Sequence, residues 1–318
     1  MFYTRRDVGK VALATLPMAK LFGAAKMINS KFGGVQIGAI SYSFNRIVTT
    51  DPTIVIKSMV EIGLGEVELT SDHCEPLAGA PAVPAVRTGR GRAPLTPEQI
   101  AERDAAQKKL AEWRRATTPA TWAGVRKQFN DAGIAVALLC YNMQDSMTDA
   151  DIEYGFAMAK GLGVKAMSTS TTLTMAKRIA PIADKHKLMV GYHGHDQTSD
   201  PNQTATLESY DTLMAYGGYN GINLDIGHFT AAGYDAIAFI QKHHSRITNL
   251  HLKDRKKNHG PGVSWGTGDT PIKEVLQLLK KNKYPIPANI EWEIAIPQGS
   301  DLITEMKKCL EFCKNALA

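Results

Sequence analysis

The chain has 318 residues, 44% of them hydrophobic and 21% charged, enough to bury the core of one large globular domain. Its formal net charge of +6 comes from 37 Lys+Arg against 31 Asp+Glu, and much of the excess lies in the N-terminal leader and between Arg87 and Arg115. Neither region interleaves basic with aromatic residues or carries a nucleic-acid motif, so no nucleic-acid partner is expected.

At the start, Thr4-Arg5-Arg6-Asp7-Val8-Gly9-Lys10 precedes an apolar run over residues 11–25 that ends in the small residues Gly23-Ala24-Ala25. Paired arginines, a modest apolar region and a small-residue cleavage point resemble a twin-arginine export signal. Residues 1–30 are therefore expected to be a leader that sends a folded protein to the periplasm, and residues 31–318 to be the domain. The run is short and broken by Pro17 and Lys20, so a stable membrane span is not expected. The four cysteines, Cys74, Cys140, Cys309 and Cys313, form no Cys-x-x-Cys pair and are expected to be inert thiols.

Beyond the leader, apolar runs of strand length alternate with helical patterns. Strands are expected at 35–41, 66–70, 134–141, 164–168, 188–193, 222–226, 247–252 and 288–294. Helices are expected at 52–62, 121–132, 149–160, 174–186, 206–216, 234–244, 271–281 and 301–316. Eight strand–helix units imply parallel strands with helical crossovers, and no glycine-rich phosphate turn follows the first strand. The expected fold is α/β, a single-domain (β/α)₈ TIM barrel. An insertion at about 75–118, rich in Ala, Pro, Gly and Arg before a charged helix at about 97–115, follows strand two. Its place at the C-terminal end of that strand fits either a lid or a solvated surface segment.

Four successive strands end in groups that can bind a cation. Strand five ends Tyr192-His193-Gly194-His195-Asp196, strand six supplies Asp225 and His228, strand seven His251 and Lys253, and strand eight Glu291 and Glu293. A single histidine at a strand end is usually structural, and a lone glutamate often pairs with Lys or Arg. Burying so many ionisable groups together without a cation would be costly, which favours a metal site. Mixed imidazole and carboxylate donors suit one divalent transition metal, Mn²⁺ first, with Zn²⁺, Co²⁺ or Fe²⁺ as alternatives.

The segments Asn223-Leu224-Asp225-Ile226-Gly227-His228, His251-Leu252-Lys253-Asp254 and Ile290-Glu291-Trp292-Glu293 resemble the sugar phosphate isomerase/epimerase superfamily, the xylose-isomerase-like TIM barrels, over roughly residues 35–316. The resemblance implies metal ligands at His193, Asp225, His251 and Glu291, with Glu293 in reserve for strand eight. His193 stands where the family usually has Glu, and His193-Gly194-His195-Asp196 is a variant of a branch that reads His-Asn-His-Asp. In the family the cation chelates a carbonyl and a neighbouring hydroxyl while carboxylates remove and return a proton. With an imidazole in the strand-five place, the proton falls to Glu291, His195 or Glu68. His228, Lys253 and Arg255 would bind substrate oxygens, and Trp265, in Trp265-Gly266-Thr267-Gly268-Asp269, would stack on a sugar.

The expected function is therefore a metal-dependent sugar isomerase or epimerase acting through an enediolate on a small carbohydrate. The principal alternative is a lyase or hydrolase that expels the aglycone of a 3-keto-glycoside through the same enolate. A non-catalytic sugar-binding barrel is the second alternative. The extra His and Glu ligands of a trinuclear endonuclease site are absent, and no phosphate nest follows strands seven or eight, so an unphosphorylated substrate is preferred.

Overall fold

Each apolar strand is separated from the next by a long segment that holds a helix, which rules out hairpins and leaves parallel pairing with crossovers. The computed structural model describes residues 26–48, 51–84 and 95–318. Its strands are β1 (Val35–Ile40), β2 (Glu66–Thr70), β3 (Ala135–Cys140), β4 (Ala166–Thr169), β5 (Met189–His193), β6 (Asn220–Asp225), β7 (Ile247–Leu252) and β8 (Ala288–Ile290). They pair in sequence order, all parallel. β1 closes the ring on β8, with Ile37 opposite Ala288 and Ala39 opposite Ile290. A two-residue strand, Lys31–Phe32, folds back antiparallel onto the start of β1.

The helices wrap the outside: α1 (Ile54–Ile62), α2 (Ser71–Leu77), α3 (Pro97–Ala116), α4 (Pro119–Asp131), α5 (Asp149–Leu162), α6 (Leu173–His186), α7 (Leu207–Ala215), α8 (Ile226–Ala231), α9 (Ala236–His243), α10 (Ile272–Asn282) and α11 (Leu302–Leu317). Outward strand residues such as Ile37, Leu69, Leu139, Val190, Leu224 and Leu250 meet Met59, Phe129, Phe156, Ile179, Leu213 and Leu276 in one apolar shell. Removing that surface from water is the main favourable term in folding. Local signals agree with it. Thr148 and Asp151 form a capping box that opens α5, and Gly163, at φ 67°, ends it.

The structure departs from the expected elements at two places that bear on the site. Strand eight stops at Ile290 rather than running to residue 294, because the following backbone is bonded by side chains. Trp292 N donates to Ser43 Oγ at 3.0 Å, and the Arg46 guanidinium donates to the carbonyls of Glu293 at 3.1 Å and Ile294 at 2.7 Å. Strand six ends at Asp225, and Ile226 opens α8, a short helix that the periodicity does not show.

The paired arginines and the apolar run of the expected leader lie outside the described residues. Two residues near its expected end are bonded to the barrel. Ile28 N donates to Gly133 O at 2.8 Å, and Ser30 Oγ donates to Ile37 O at 2.6 Å while accepting from Gly65 N at 3.0 Å. All four cysteines are buried free thiols.

Within the insertion, α3 buries none of its residues and is held near its C-terminal end. Arg114 donates to both Glu75 oxygens at 2.7 and 2.9 Å, Tyr154 Oη donates to the same carboxylate at 2.7 Å, and the guanidinium lies 5.4 Å from the Tyr154 ring centre. A helix so anchored should open locally without the barrel. In Arg114→Ala, limited proteolysis within residues 97–116 should accelerate by roughly fivefold, as loss of about 1 kcal/mol implies. The melting temperature should fall by only a few degrees; an unchanged cleavage rate would show that the anchor lies elsewhere.

Candidate metal centre

Strand alternation sends every second side chain into the barrel, so the inward residue at each C-terminal end meets its neighbours around the axis. On β5, Gly191 lies opposite Thr248, whose Oγ1 would be 2.0 Å from an added Cβ, and the strand ends at His193. The next residue must be glycine for the same reason, since a Cβ on Gly194 would lie 1.8 Å from Tyr210 Oη. β6 ends in Asp225, which divides its two oxygens. Oδ1 caps α8 by accepting His228 N at 2.8 Å, and Oδ2 is left for the site.

His193, Asp225, His251 and Glu291 each offer one ligand atom, and these atoms lie within 4.8 Å of one another. His193 Nε2 is 3.4 Å from Asp225 Oδ2 and 3.8 Å from Glu291 Oε2, and His251 Nδ1 is 3.0 Å from Glu291 Oε2. All four atoms are buried and lack a well-directed hydrogen bond. Buried polar atoms are almost always satisfied; here, among the described residues, His193 Nε2 has no hydrogen-bond partner and the other three atoms meet only Lys253 Nζ or one another, a convergence that suits a cation bound by two nitrogens and two carboxylate oxygens.

Beneath the donors the barrel interior is polar rather than aliphatic. Glu68, fully buried on β2, accepts from Asn249 Nδ2 and Asn289 Nδ2 at 2.9 Å each, from Asn223 Nδ2 at 3.3 Å and from the hydroxyl of Ser168. It also lies 2.7 Å from His251 Nε2. A carboxylate at that distance accepts a hydrogen bond from Nε2–H, which leaves Nδ1 facing the donor cluster, the usual way in which a neighbouring carboxylate orients a ligating histidine. As a candidate base Glu68 is poorly placed, because both oxygens are engaged and no solvent reaches it. Its geometry is that of a positioning residue. The asparagines were not anticipated, yet a signal exists: Asn223, Asn249 and Asn289 each precede a donor by two residues on successive strands, one layer down on the same inward face.

Lys253 fills the electrostatic centre. Its Nζ lies 2.9 Å from Asp225 Oδ2, 2.8 Å from Glu291 Oε2 and 2.5 Å from Glu293 Oε2. Burial would lower the Lys253 pKa, but these three carboxylates raise it, so the ammonium persists. Burial would raise Glu291, and Lys253 with His251 brings it well below the usual carboxylate range. His193 is held well below the usual imidazole value by burial and by the neighbouring His251 and His195. His251 goes the other way: burial opposes its charge, but Glu68 and Glu291 raise it well above the usual value.

Two cavities flank the donors. One of about 220 Å³ is lined by Tyr42, Asn142, Ser168, Ser170, His193 and His195. The other, about 320 Å³, is lined by His228, Lys253, Arg255, Trp265 and Trp292; Glu291 and Glu293 border both. The His195 ring is 4.8 Å from the His193 ring, centre to centre, and burial together with His228 lowers its pKa to about 4. His228 and Arg255 are braced by Asp196, a partner that sequence reasoning did not assign. Its Oδ1 is 2.8 Å from His228 Nδ1 and from Arg255 Nη1. Trp265 rests edge-on against Phe312.

Asp225→Asn and His251→Gln should each abolish stoichiometric binding of Mn²⁺ or Zn²⁺ by elemental analysis while the far-UV circular dichroism is retained; full metal content in both would refute the donor set. Glu68→Gln should weaken metal binding by about 10–100-fold. Because the raised His251 holds a proton that a cation must displace from Nδ1, affinity should rise with pH through neutrality, with proton release visible by calorimetry in buffers of different ionisation enthalpy. Unchanged affinity in Glu68→Gln would contradict the positioning role.

Residues 169–315, which contain all four donors, match the family model described as xylose isomerase-like TIM barrel. Inosose dehydratase of Clostridium tetani (strain Massachusetts / E88) is 27% identical over 126 residues, 34% of this chain; the match spans only 41% of that relative's length. The crystal structure of D-psicose 3-epimerase with D-tagatose from Clostridium cellulolyticum H10 has a TM-score of 0.61 at 12% identity, covering 89% of this chain and 99% of that one. The IOLI protein with a bound zinc atom has a TM-score of 0.59 at 14% identity, with coverage of 89% and 99%. At these identities the likeness is one of fold. The chain is thus a closed (β/α)₈ barrel, and its C-terminal part is similar to the xylose isomerase-like TIM barrels.

Proposed function

We propose that this chain is a metal-dependent enzyme that takes a proton from the carbon next to a carbonyl of an unphosphorylated sugar, with isomerisation or epimerisation as the outcome. The observation that carries this reading is the convergence of four buried ligand atoms beside an open cavity that also holds a neutral imidazole. Mn²⁺ is the cation proposed. When bound, it would acidify the C–H next to a carbonyl and offset the negative charge that develops on oxygen.

The rest falls to side chains. With its pKa lowered to about 4, His195 is neutral at pH 7 and can take the proton on Nε2, which faces Ser170 Oγ at 3.4 Å. The electron pair of the broken C–H bond becomes a C=C bond, and the carbonyl π pair moves to oxygen. Glu293 follows β8, three strands around the ring from β5, borders both cavities and is held by the Lys253 ammonium. In this reading Glu293, exchanging a proton with solvent, is the second acid–base group and returns a proton to the adjacent carbon or to the other face, while the proton on His195 passes to solvent. His228 and Arg255, fixed by Asp196, are positioned to donate to substrate hydroxyls. A second reading, loss of a group β to the carbonyl, is supported by the dehydratase among the relatives and by Lys253, whose ammonium can donate a hydrogen bond to a departing oxygen.

Incubation of Mn²⁺-loaded protein with ketoses and oxidised glycosides in D₂O separates the two. Deuterium at the carbon next to the carbonyl of recovered sugar is expected, whereas elimination would release water or free aglycone. His195→Gln should keep its metal and lose about 100-fold or more in kcat. Wild-type turnover in that variant would remove His195 from the mechanism.

A further inference from the structure

The two cavities lie beside the donor cluster and meet at the same glutamates, Glu291 and Glu293. The smaller is walled by hydroxyl and amide side chains: Asn142, Ser168, Thr169 and Ser170. The larger is lined by Trp265, Trp292, Val263 and Ile294 together with the charged Asp196, Lys253, Asp254 and Arg255. Trp292 is buried, and its indole Nε1 donor has no acceptor. At about 220 Å³ the smaller cavity is below the range of about 300–1,000 Å³ that holds ligands of more than one ring, and a sugar confined to it would leave the aromatic walls of the other against water. The aromatic lobe is also built in advance. Asp254 Oδ2 accepts from Gly266 N at 2.9 Å and Gly268 N at 2.8 Å, and a Cβ on Gly268 would lie 1.9 Å from Asp254 Oδ1. The carboxylate therefore fixes the loop that carries Trp265, while Arg255 is fixed by both oxygens of Asp196 and by Gly260 O. Rings of low conformational freedom held in this way recognise planar or ring-shaped groups efficiently.

We infer that the substrate is a two-part glycoside rather than a free monosaccharide. The carbonyl-bearing sugar occupies the smaller lobe, and an aromatic aglycone or second sugar ring lies against Trp265. This rests on the reading of the donor cluster as a carbonyl-sugar site. It adds that specificity is set across the glycosidic bond, by residues that touch no metal donor atom.

The test is isothermal calorimetry on Mn²⁺-loaded protein with a set of hexoses, their phenyl β-glycosides and the corresponding disaccharides. At least one glycoside should bind about threefold to tenfold more tightly than its parent hexose, as stacking on Trp265 implies. In Trp265→Ala, and independently in Val263→Trp, which fills the lobe, the ratio of glycoside to hexose affinity should collapse toward one. Equal affinities in the wild type, or a ratio that survives both substitutions, would overturn the inference. Deuterium exchange into free hexoses at the same kcat/KM as into glycosides would also overturn it while leaving the proposed function standing. A retained glycoside preference with no exchange on any sugar would support the lobe and overturn the chemistry.

Discussion

A carboxylate with no exposure at the axis of a barrel is the feature on which the rest depends. Removing the charge of Glu68 from water costs several kcal/mol, and only dense hydrogen bonding can offset it. The side chains that supply those bonds come from β4, β6, β7 and β8, so one charged group draws half of the strands toward a common point. The strand registers accommodate it. Pairing shifts by a residue at Val67/Glu68 and at Ile222/Asn223, where side chains enter this network. Gly38 is small for the same reason, since a Cβ there would lie 2.6 Å from Asn289 Oδ1. The donor layer rests on this polar floor. An aliphatic floor would leave the orientation of His251 to rotamer preference alone.

Much of the architecture could be read from residue order because the barrel is assembled from local rules. β2 and β7 begin and end where the apolar runs do, at Glu66–Thr70 and Ile247–Leu252. The errors arise where a side chain takes over the work of a backbone partner. An alternating run through Ile290-Glu291-Trp292-Glu293 reads as strand, but Ser43 and Arg46, almost 250 residues away, bond its backbone and bend it off the sheet. Likewise Asp225 reads as the inward residue of a continuing strand, and its Oδ1 turns the next residues into α8. Such long-range or capping decisions leave no periodic trace.

The candidate site shows the same division. Donor types at four strand ends are visible in the sequence because each is a titratable residue two or fewer positions from an apolar run. Asn223, Asn249 and Asn289 are uncharged and compatible with many strands, so their part in the floor shows only once register is known. Asp196 and Asp254 are a third kind. Each follows a strand, and each spends both oxygens on holding other groups, Asp196 on His228 and Arg255 and Asp254 on the loop of Trp265. Nothing in their spacing separates that duty from ligation.

The placement of Lys253 explains why two glutamates two residues apart take different parts. Three carboxylates gathered around one point would repel one another and spread, and a buried ammonium 2.5–2.9 Å from each holds them together. The two glutamates nevertheless differ in their other neighbours. Glu291 is buried against His251 Nδ1 and His193 Nε2, the two nitrogens that lack partners. Glu293 is 39% exposed and, among the described residues, makes no ion pair with either histidine. Desolvation penalises a free charge at the first position much more than at the second, so a cation would stabilise Glu291 most. One lysine thereby lets a short irregular segment after β8 present two carboxylates in different surroundings to the same cavity.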